Sequence, residues 1–364
     1  MIKYITILTN NYKIIRRIIM KVLKSIFSLL LSLVLIIGLV SCGGNNTASN
    51  NATTEKVGTE AAETTKPVNP NRPNPAENIK KTYKIGILQL VQHSALDASY
   101  QGFIDYLNEK GIKFTEDYQN ASGEQSACET IAEKFANDGL DLCYAIATPA
   151  AQSVVAHLEN VPIVASAVTD PAGSGLCKSN ENPQGSLTAA SDLTPVDAQF
   201  DLLVELLPNA KNVGILYCSA EANSKIQSDM AIEAAKKRNL NATEYTVVNS
   251  NDIQTVVESM IGKVDVIYVP TDNTLSAGFD TVATICNENK IPTIVGEEGM
   301  VDKGGFATYG INYYSLGKLA GQMAEEILIN RIKPGDMPVR YLDSNSCTRK
   351  INEETAKLLG IEVK

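Results

Sequence analysis

Residues 84–88 read KIGIL and residues 212–216 read NVGIL, 128 positions apart. Two more pairs keep nearly that spacing: DLCYAIATP (141–149) matches DVIYVPTDN (265–273) at an offset of 124, and VPIV (161–164) matches IPTI (291–294) at 130. Three nearly constant offsets mark a duplication. Between the repeats, β-rich runs alternate with helical stretches. In the first half the runs are YKIGILQLV, IKFTEDYQ, DLCYAIAT and VPIVASAV, with helices over 98–110, 124–137 and 150–159. The second half runs NVGILYCS, ATEYTVV, DVIYVPTDN and IPTIVGEE, with helices over 221–238, 252–262 and 276–289. Nearly continuous apolar strands separated by helices make parallel sheets covered on both faces. The fold class is α/β: two similar doubly wound parallel-sheet lobes with a central cleft. Past Phe306 a further helix (GINYYSLGKLAGQMAEEILIN) and strand (PVRYLDS) remain. The chain is expected to cross back for that helix and then return. Lobe 1 is therefore residues 82–190 with 309–335, and lobe 2 is 191–308 with 336–364.

Ahead of the lobes stands MKVLKSIFSLLLSLVLIIGLVSC, residues 20–42. Two lysines, an apolar run and a small-residue ending have the anatomy of an export signal. The ending resembles the lipobox of bacterial lipoproteins, which implies cleavage before Cys42 and lipid on its thiol. Residues 1–41 are thus a signal peptide whose true start is Met20. Residues 42–81, poor in large apolar side chains and ending with Pro67, Pro70, Pro73 and Pro75, read as a disordered tether.

Residues 1–41 hold six of the 32 basic residues and none of the 41 acids, so the remainder carries 26 basic against 41 acidic residues, net −15. Such a surface repels phosphate backbones, and nucleic acid is not an expected partner. Six cysteines besides Cys42 are scattered without a CxxC pair. They are read as mostly free, buried thiols. With His93 and His157 the sole histidines, a histidine-rich metal site is excluded. There is no GxSxG elbow, P-loop or dinucleotide glycine fingerprint, so no cofactor and no enzymatic activity are expected.

The segments IGILQLVQHSALDASYQGFIDYL, AIATPAAQ, AVTDPAGSGL, SDLTPVDAQ, GILYCSAEANSKIQ, IYVPTDN and GINYYSLGKLAGQMA fall between residues 85 and 324, and the resemblance they carry covers residues 83 to about 360. Together they resemble the solute-binding lipoproteins of ABC importers, including the tryptophan/tyrosine-binding proteins. The resemblance implies a type I periplasmic-binding-protein fold with two Rossmann-like lobes. It also implies a small-molecule ligand, an aromatic amino acid, and the transmembrane subunits of an ABC permease as partners. The protein would be exported and held through its lipid on the outer face of the cytoplasmic membrane, as a monomer. Two alternatives stay open: a ligand-sensing lipoprotein that signals to a membrane receptor, and a solute other than an amino acid.

In open α/β sheets the binding crevice lies beyond the carboxyl ends of the strands. Those ends supply the candidates: Val91, Gln92 and His93; Thr148, Pro149 and, one turn on, Gln152; Thr169 and Asp170; Asn223 and Ser224; Thr271, Asp272 and Asn273. Thr148 and Gln152 at a helix start suit a carboxylate. Asp272, at the equivalent place in lobe 2, suits an ammonium. Thr148, Asn223 and Ser224 read equally as helix caps, a cap is the lesser reading of Asp272, and Asp170 and Asp192 read as turn caps. His93 is placed at the pocket mouth by the resemblance. Tyr313 and Tyr314 read as packing residues.

Overall fold

The computed structural model describes residues 75–343 and 346–363. The signal over 1–41, Cys42 and the tether as far as residue 74 lie outside the described residues. Sheet one is built from β1 (Tyr83–Gln89), β2 (Phe114–Asn120), β3 (Leu142–Ile146), β4 (Ile163–Ser166) and β5 (Leu187–Ser191). A one-turn helix α1 (Pro75–Asn78) precedes it, and α2 (Ser94–Glu109), α3 (Gln125–Asn137) and α4 (Thr148–His157) connect its strands. After α5 (Val196–Leu206) come β6 (Asn212–Cys218), α6 (Ala222–Lys237), β7 (Asn241–Val247), α7 (Ile253–Met260) and β8 (Val266–Val269). The second unit continues through α8 (Asn273–Ala277), α9 (Phe279–Glu288), β9 (Thr293–Val295), α10 (Glu298–Asp302) and β10 (Ala307–Gly310). The chain ends with α11 (Tyr313–Leu328), β11 (Arg340–Tyr341), β12 (Thr348–Ile351) and α12 (Glu353–Leu359). Strand orders are β11-β5-β4-β3-β1-β2 and β12-β10-β9-β8-β6-β7. Every pairing is parallel except that of β10 with β12. The two lobes are thus built on one plan.

The glycines of the repeated pentapeptides show why the repeat is legible. A Cβ on Gly86 would lie 2.5 Å from Leu140 Cδ1 and 3.1 Å from the Phe135 ring, and one on Gly214 would lie 2.3 Å from Met260 Cε. Each glycine lets the side chain of a covering element sink onto its sheet. Around Gly214, Val213, Ile215 and Tyr217 face one core while Leu216 and Cys218 face the other, the period-two alternation of a strand buried on both faces.

Helix α11 lies on lobe 1, where its side chains share a core with Phe103 and Tyr144. Two glycines bring its backbone onto α2: a Cβ on Gly102 would sit 2.0 Å from the Tyr314 carbonyl oxygen, and one on Gly317 2.0 Å from that of Ser99.

The return to lobe 2 comes later than the sequence reading placed it. Arg340 and Tyr341 pair in parallel with Ala190 and Ser191, so β11 and Ser191 both belong to lobe 1's sheet. Residues 335–341 are tied there because Thr188 Oγ1 donates to the Met337 carbonyl (2.9 Å), Val339 N to Asn180 O (2.8 Å), and Arg340 forks onto Glu326 (2.8 and 2.6 Å). The crossing follows Tyr341, and β12 then adds antiparallel to β10. On the other crossover, Tyr309 still belongs to lobe 2, within β10. The end of the expected tether is also docked: Asn78 Nδ2 donates to Ile329 O (2.7 Å), filling an open carbonyl beyond α11. Among the described residues no helix is long and apolar enough to cross a membrane.

Candidate functional site

The strand ends of the two sheets face each other and enclose two spaces. The larger is a cavity of about 540 Å³ at the β2/β7 side. Lobe 1 lines it with Leu90, Val91, residues 122–125, Pro149 and Gln152, and lobe 2 with Cys218, Glu221, residues 248–250 and the α8 turn. The smaller, nearer the crossovers, is a polar void of about 10 Å³, room for about one water. Asn273 borders both spaces. The lobes touch here: His93 Nε2 lies 3.3 Å from Asn273 Oδ1, and Gln227 Nε2 donates to Thr169 Oγ1 at 3.1 Å.

Glu221, at the N-cap position of α6, organises this junction. Its Oε2 accepts from Asn273 Nδ2 (2.6 Å), Asn273 N (3.2 Å) and Asn223 Nδ2 (3.2 Å), and its Oε1 from Thr274 N (2.9 Å) and Oγ1 (2.8 Å). It lies within the strand-end segment 219–224, from which sequence reading singled out only Asn223 and Ser224. The available signal was an acid between a strand end and a helix start, in a segment with no basic residue until Lys225.

The structure distributes the predicted residues unevenly. Val91, Pro149, Gln152 and Asn273 line the large cavity. His93, Asn223, Thr271, Asp272 and Asn273 line the void. Gln92 is exposed and lines neither space, because the chain turns outward between Val91 and the buried His93. Asp170 is a turn residue, its Oδ1 accepting from Gly173 N (3.0 Å) and Asn180 Nδ2 (2.8 Å). Thr169 is buried behind the void, donating to Asp192 Oδ1 at 3.0 Å. Ser224 is buried and accepts from Asn223 Nδ2 at 3.3 Å. Thr271 and Gln227 bond to each other.

Two candidates take positions that differ from expectation. Helix α4 begins at Thr148, with Ala147 as its cap residue at φ 88°. The Thr148 hydroxyl therefore caps nothing and is buried without a partner. Asp272 does cap: Oδ1 accepts from Leu275 N (2.8 Å) and Oδ2 from Cys218 N (2.6 Å). Its cap holds a short α8 that starts at once and breaks at Gly278, where one longer helix from residue 276 was expected. Asp192 does more than cap a turn. It accepts from Thr169 and from Tyr313 Oη (2.8 Å), and so ties the first crossover to the second.

Four acids, Asp192, Glu221, Asp272 and Glu297, are at most 4 % exposed here, and none has an ion-pair partner among the described residues. Burial raises the carboxyl pKa of Asp192, Asp272 and Glu297, and the nearby Glu221 charge adds to the effect at Asp272 and Asp192. Burial drives His93 the other way, down to about 4, with Lys303 adding repulsion. The imidazole is neutral. No cluster of described residues could hold a metal ion, and the six described cysteines are free thiols.

Residues 84–364 match the family described as ABC transporter substrate binding protein. A tyrosine-binding protein from Clostridioides difficile (strain R20291) is 41 % identical over 298 residues, covering 81 % of this chain and 86 % of the relative. A Streptococcus pneumonia ABC domain in complex with L-Trp superposes with a TM-score of 0.74 at 37 % identity, over 77 % of this chain and 96 % of that one. The ligand-free, open structure of a Clostridium difficile substrate-binding protein with adhesive properties gives 0.61 at 41 % identity, over 78 % and 96 %. The chain as a whole superposes better on the L-Trp complex than on the open structure, although the open structure is nearer in sequence. The fold is that of type I periplasmic-binding proteins, whose members here bind solutes and are not enzymes. The chain belongs to the ABC transporter substrate-binding protein family.

Proposed function

We propose that this protein captures an aromatic amino acid outside the cytoplasm and delivers it to the permease of an ABC importer, tethered to the membrane through lipid on Cys42. The observation that carries the reading is the interlobe cavity. Its volume of about 540 Å³ lies within the range of small-molecule sites, roughly 300–1,000 Å³. Leu90, Val91, Pro149 and Val248 offer an apolar wall to a ring. At its lobe 1 end stand Pro149 and Gln152 of the first turn of α4, and the unpartnered Thr148 hydroxyl is buried behind them. The start of α4 favours a carboxylate beside Gln152. The relatives named for tyrosine and crystallised with L-Trp support the same ligand class.

A thermal-shift screen of the purified protein against the common amino acids, sugars and nucleosides tests the ligand. Stabilisation by tyrosine, tryptophan or phenylalanine is expected. A response to a sugar or purine with none to these three would sink the reading. For the anchor, Cys42→Ala should leave an uncut precursor or release the protein from membranes. Wild-type processing and partitioning would count against lipidation.

A further inference from the structure

The void of about 10 Å³ between the lobes is walled by His93, Asn223, Asp192, Asp272 and Glu297, and two buried polar atoms on this wall have no partner: His93 Nδ1 and Asn223 Oδ1. Asn223 is 2 % exposed and His93 8 %. Both orphan atoms are acceptors, and Glu221 is the reason. The Asn223 amide nitrogen faces Glu221 Oε2 (3.2 Å) and the Thr271 carbonyl (3.1 Å), so Nδ2 must point there and Oδ1 is left toward the void. The Asn273 amide is likewise oriented by Glu221, its Nδ2 donating at 2.6 Å. Asn273 Oδ1 can then only accept, so His93 Nε2 carries the proton. In a neutral imidazole the other nitrogen, Nδ1, is a bare lone pair. A single carboxylate thus orients two amides and one ring so that two acceptors are left unfilled.

The charge around the void is unbalanced in the same sense. Asp192, Asp272 and Glu297 make no ion pair, and the Nζ of Lys303 is spent on the carbonyls of Ser276 (2.8 Å) and Ala277 (3.1 Å). A water would bring two donors and no charge. An ammonium brings three donors and the missing positive charge.

We propose that this void is the subsite for the ligand's α-ammonium, with Asn223 Oδ1 and His93 Nδ1 as its direct acceptors and the surrounding carboxylates as its counter-charge. Asn273 borders both the void and the large cavity, which sets this ammonium subsite next to the space proposed for the ring. The inference rests on the proposed aromatic amino acid and names the groups that select an amine. Asp272 acts through charge, since both of its oxygens are taken by backbone amides.

Titration calorimetry with L-tyrosine, tyramine and desaminotyrosine tests this on the full protein. Desaminotyrosine keeps the carboxylate and ring but lacks the amine, and tyramine keeps the amine and ring. The wild type should bind desaminotyrosine about ten- to more than a hundredfold more weakly than L-tyrosine, the effect of a lost hydrogen bond to a charged group, while retaining tyramine. Asn223→Leu should weaken L-tyrosine and tyramine by about tenfold or more and leave desaminotyrosine unchanged. The wild-type series needs no variant, so a misfolded Asn223→Leu protein does not blunt the test. Desaminotyrosine binding within about threefold of L-tyrosine, or an equal loss of all three ligands in Asn223→Leu, would show that the void holds only water and overturn the subsite while the aromatic reading stands. If none of the three binds and a sugar stabilises the protein, the aromatic reading falls and the ammonium subsite with it.

Discussion

Ligand affinity should depend on the proton state of His93, and the size of the effect follows from the structure. When the lobes meet, the ring is enclosed against Asn273 and its pKa falls to about 4, while an imidazole in water keeps a value near 6.5. A lowered value means that closure is unpenalised above about pH 6.5 and progressively opposed as the pH falls toward 4, because the open state then binds the proton. Linkage between these two values gives a cost to closure of ~0.2 kcal/mol at about pH 7 and ~2 kcal/mol at about pH 5, a ~20-fold loss of affinity. The acids facing the same void work in the opposite sense. Asp192, Asp272 and Glu297 have raised values, so their contribution favours the closed state at low pH and fades as the pH rises through those values. Burial raises the Tyr313 hydroxyl well above its ordinary value, so it stays protonated over this range. Comparing wild type with His93→Gln isolates the histidine, since the acids are common to both. Calorimetric titration with L-tyrosine at about pH 5 and about pH 7 should show wild-type affinity falling ~20-fold more than that of the variant. Equal pH slopes, within about threefold, would mean that His93 is not sequestered on closure.

Asp272→Ala should destabilise the ligand-free protein by about 2–5 kcal/mol, because the buried amides of Cys218 and Leu275 lose their acceptors. An unchanged melting temperature without ligand would show instead that this carboxylate is free for the ligand. Gly317→Val should lower stability by about 1–3 kcal/mol or more, since its Cβ would stand 2.0 Å from the Ser99 carbonyl oxygen. A melting temperature equal to wild type would mean that α11 does not pack backbone to backbone on α2. Thiol labelling of the native protein should reach Cys177 and Cys347 first and leave Cys128, Cys143, Cys218 and Cys286 unreacted until unfolding. Burial raises the pKa of Cys128 and Cys286 to about 12 and of Cys218 to about 11. Equal labelling of all six in the native state would refute that burial.

Much of the architecture was legible because it is written in local pattern. Strands buried on both faces must be apolar throughout, and a helix that lies close on a sheet needs a small residue beneath it. KIGIL and NVGIL carry both signals, with Gly86 under Phe135 and Leu140 and Gly214 under Met260. Strand ends in a parallel sheet also point to one edge, so Val91, His93, Gln152, Asn223 and Asn273 could be named before any coordinates. The strand assignment of Arg340 and Tyr341 was legible, but not their sheet. A two-residue strand has no pattern that selects a partner, and the choice falls to bonds from Thr188, Asn180 and Glu326, which are distant in sequence. Asp272 shows the same limit. Its sequence favours an ammonium partner over a cap, and only the placement of the Cys218 and Leu275 amides against both oxygens makes it a cap. The orientation of the cleft's acceptors is wholly tertiary. An amide or imidazole has two chemically distinct ends, and which end is left without a partner depends on a third group, here Glu221, reaching it from another part of the chain.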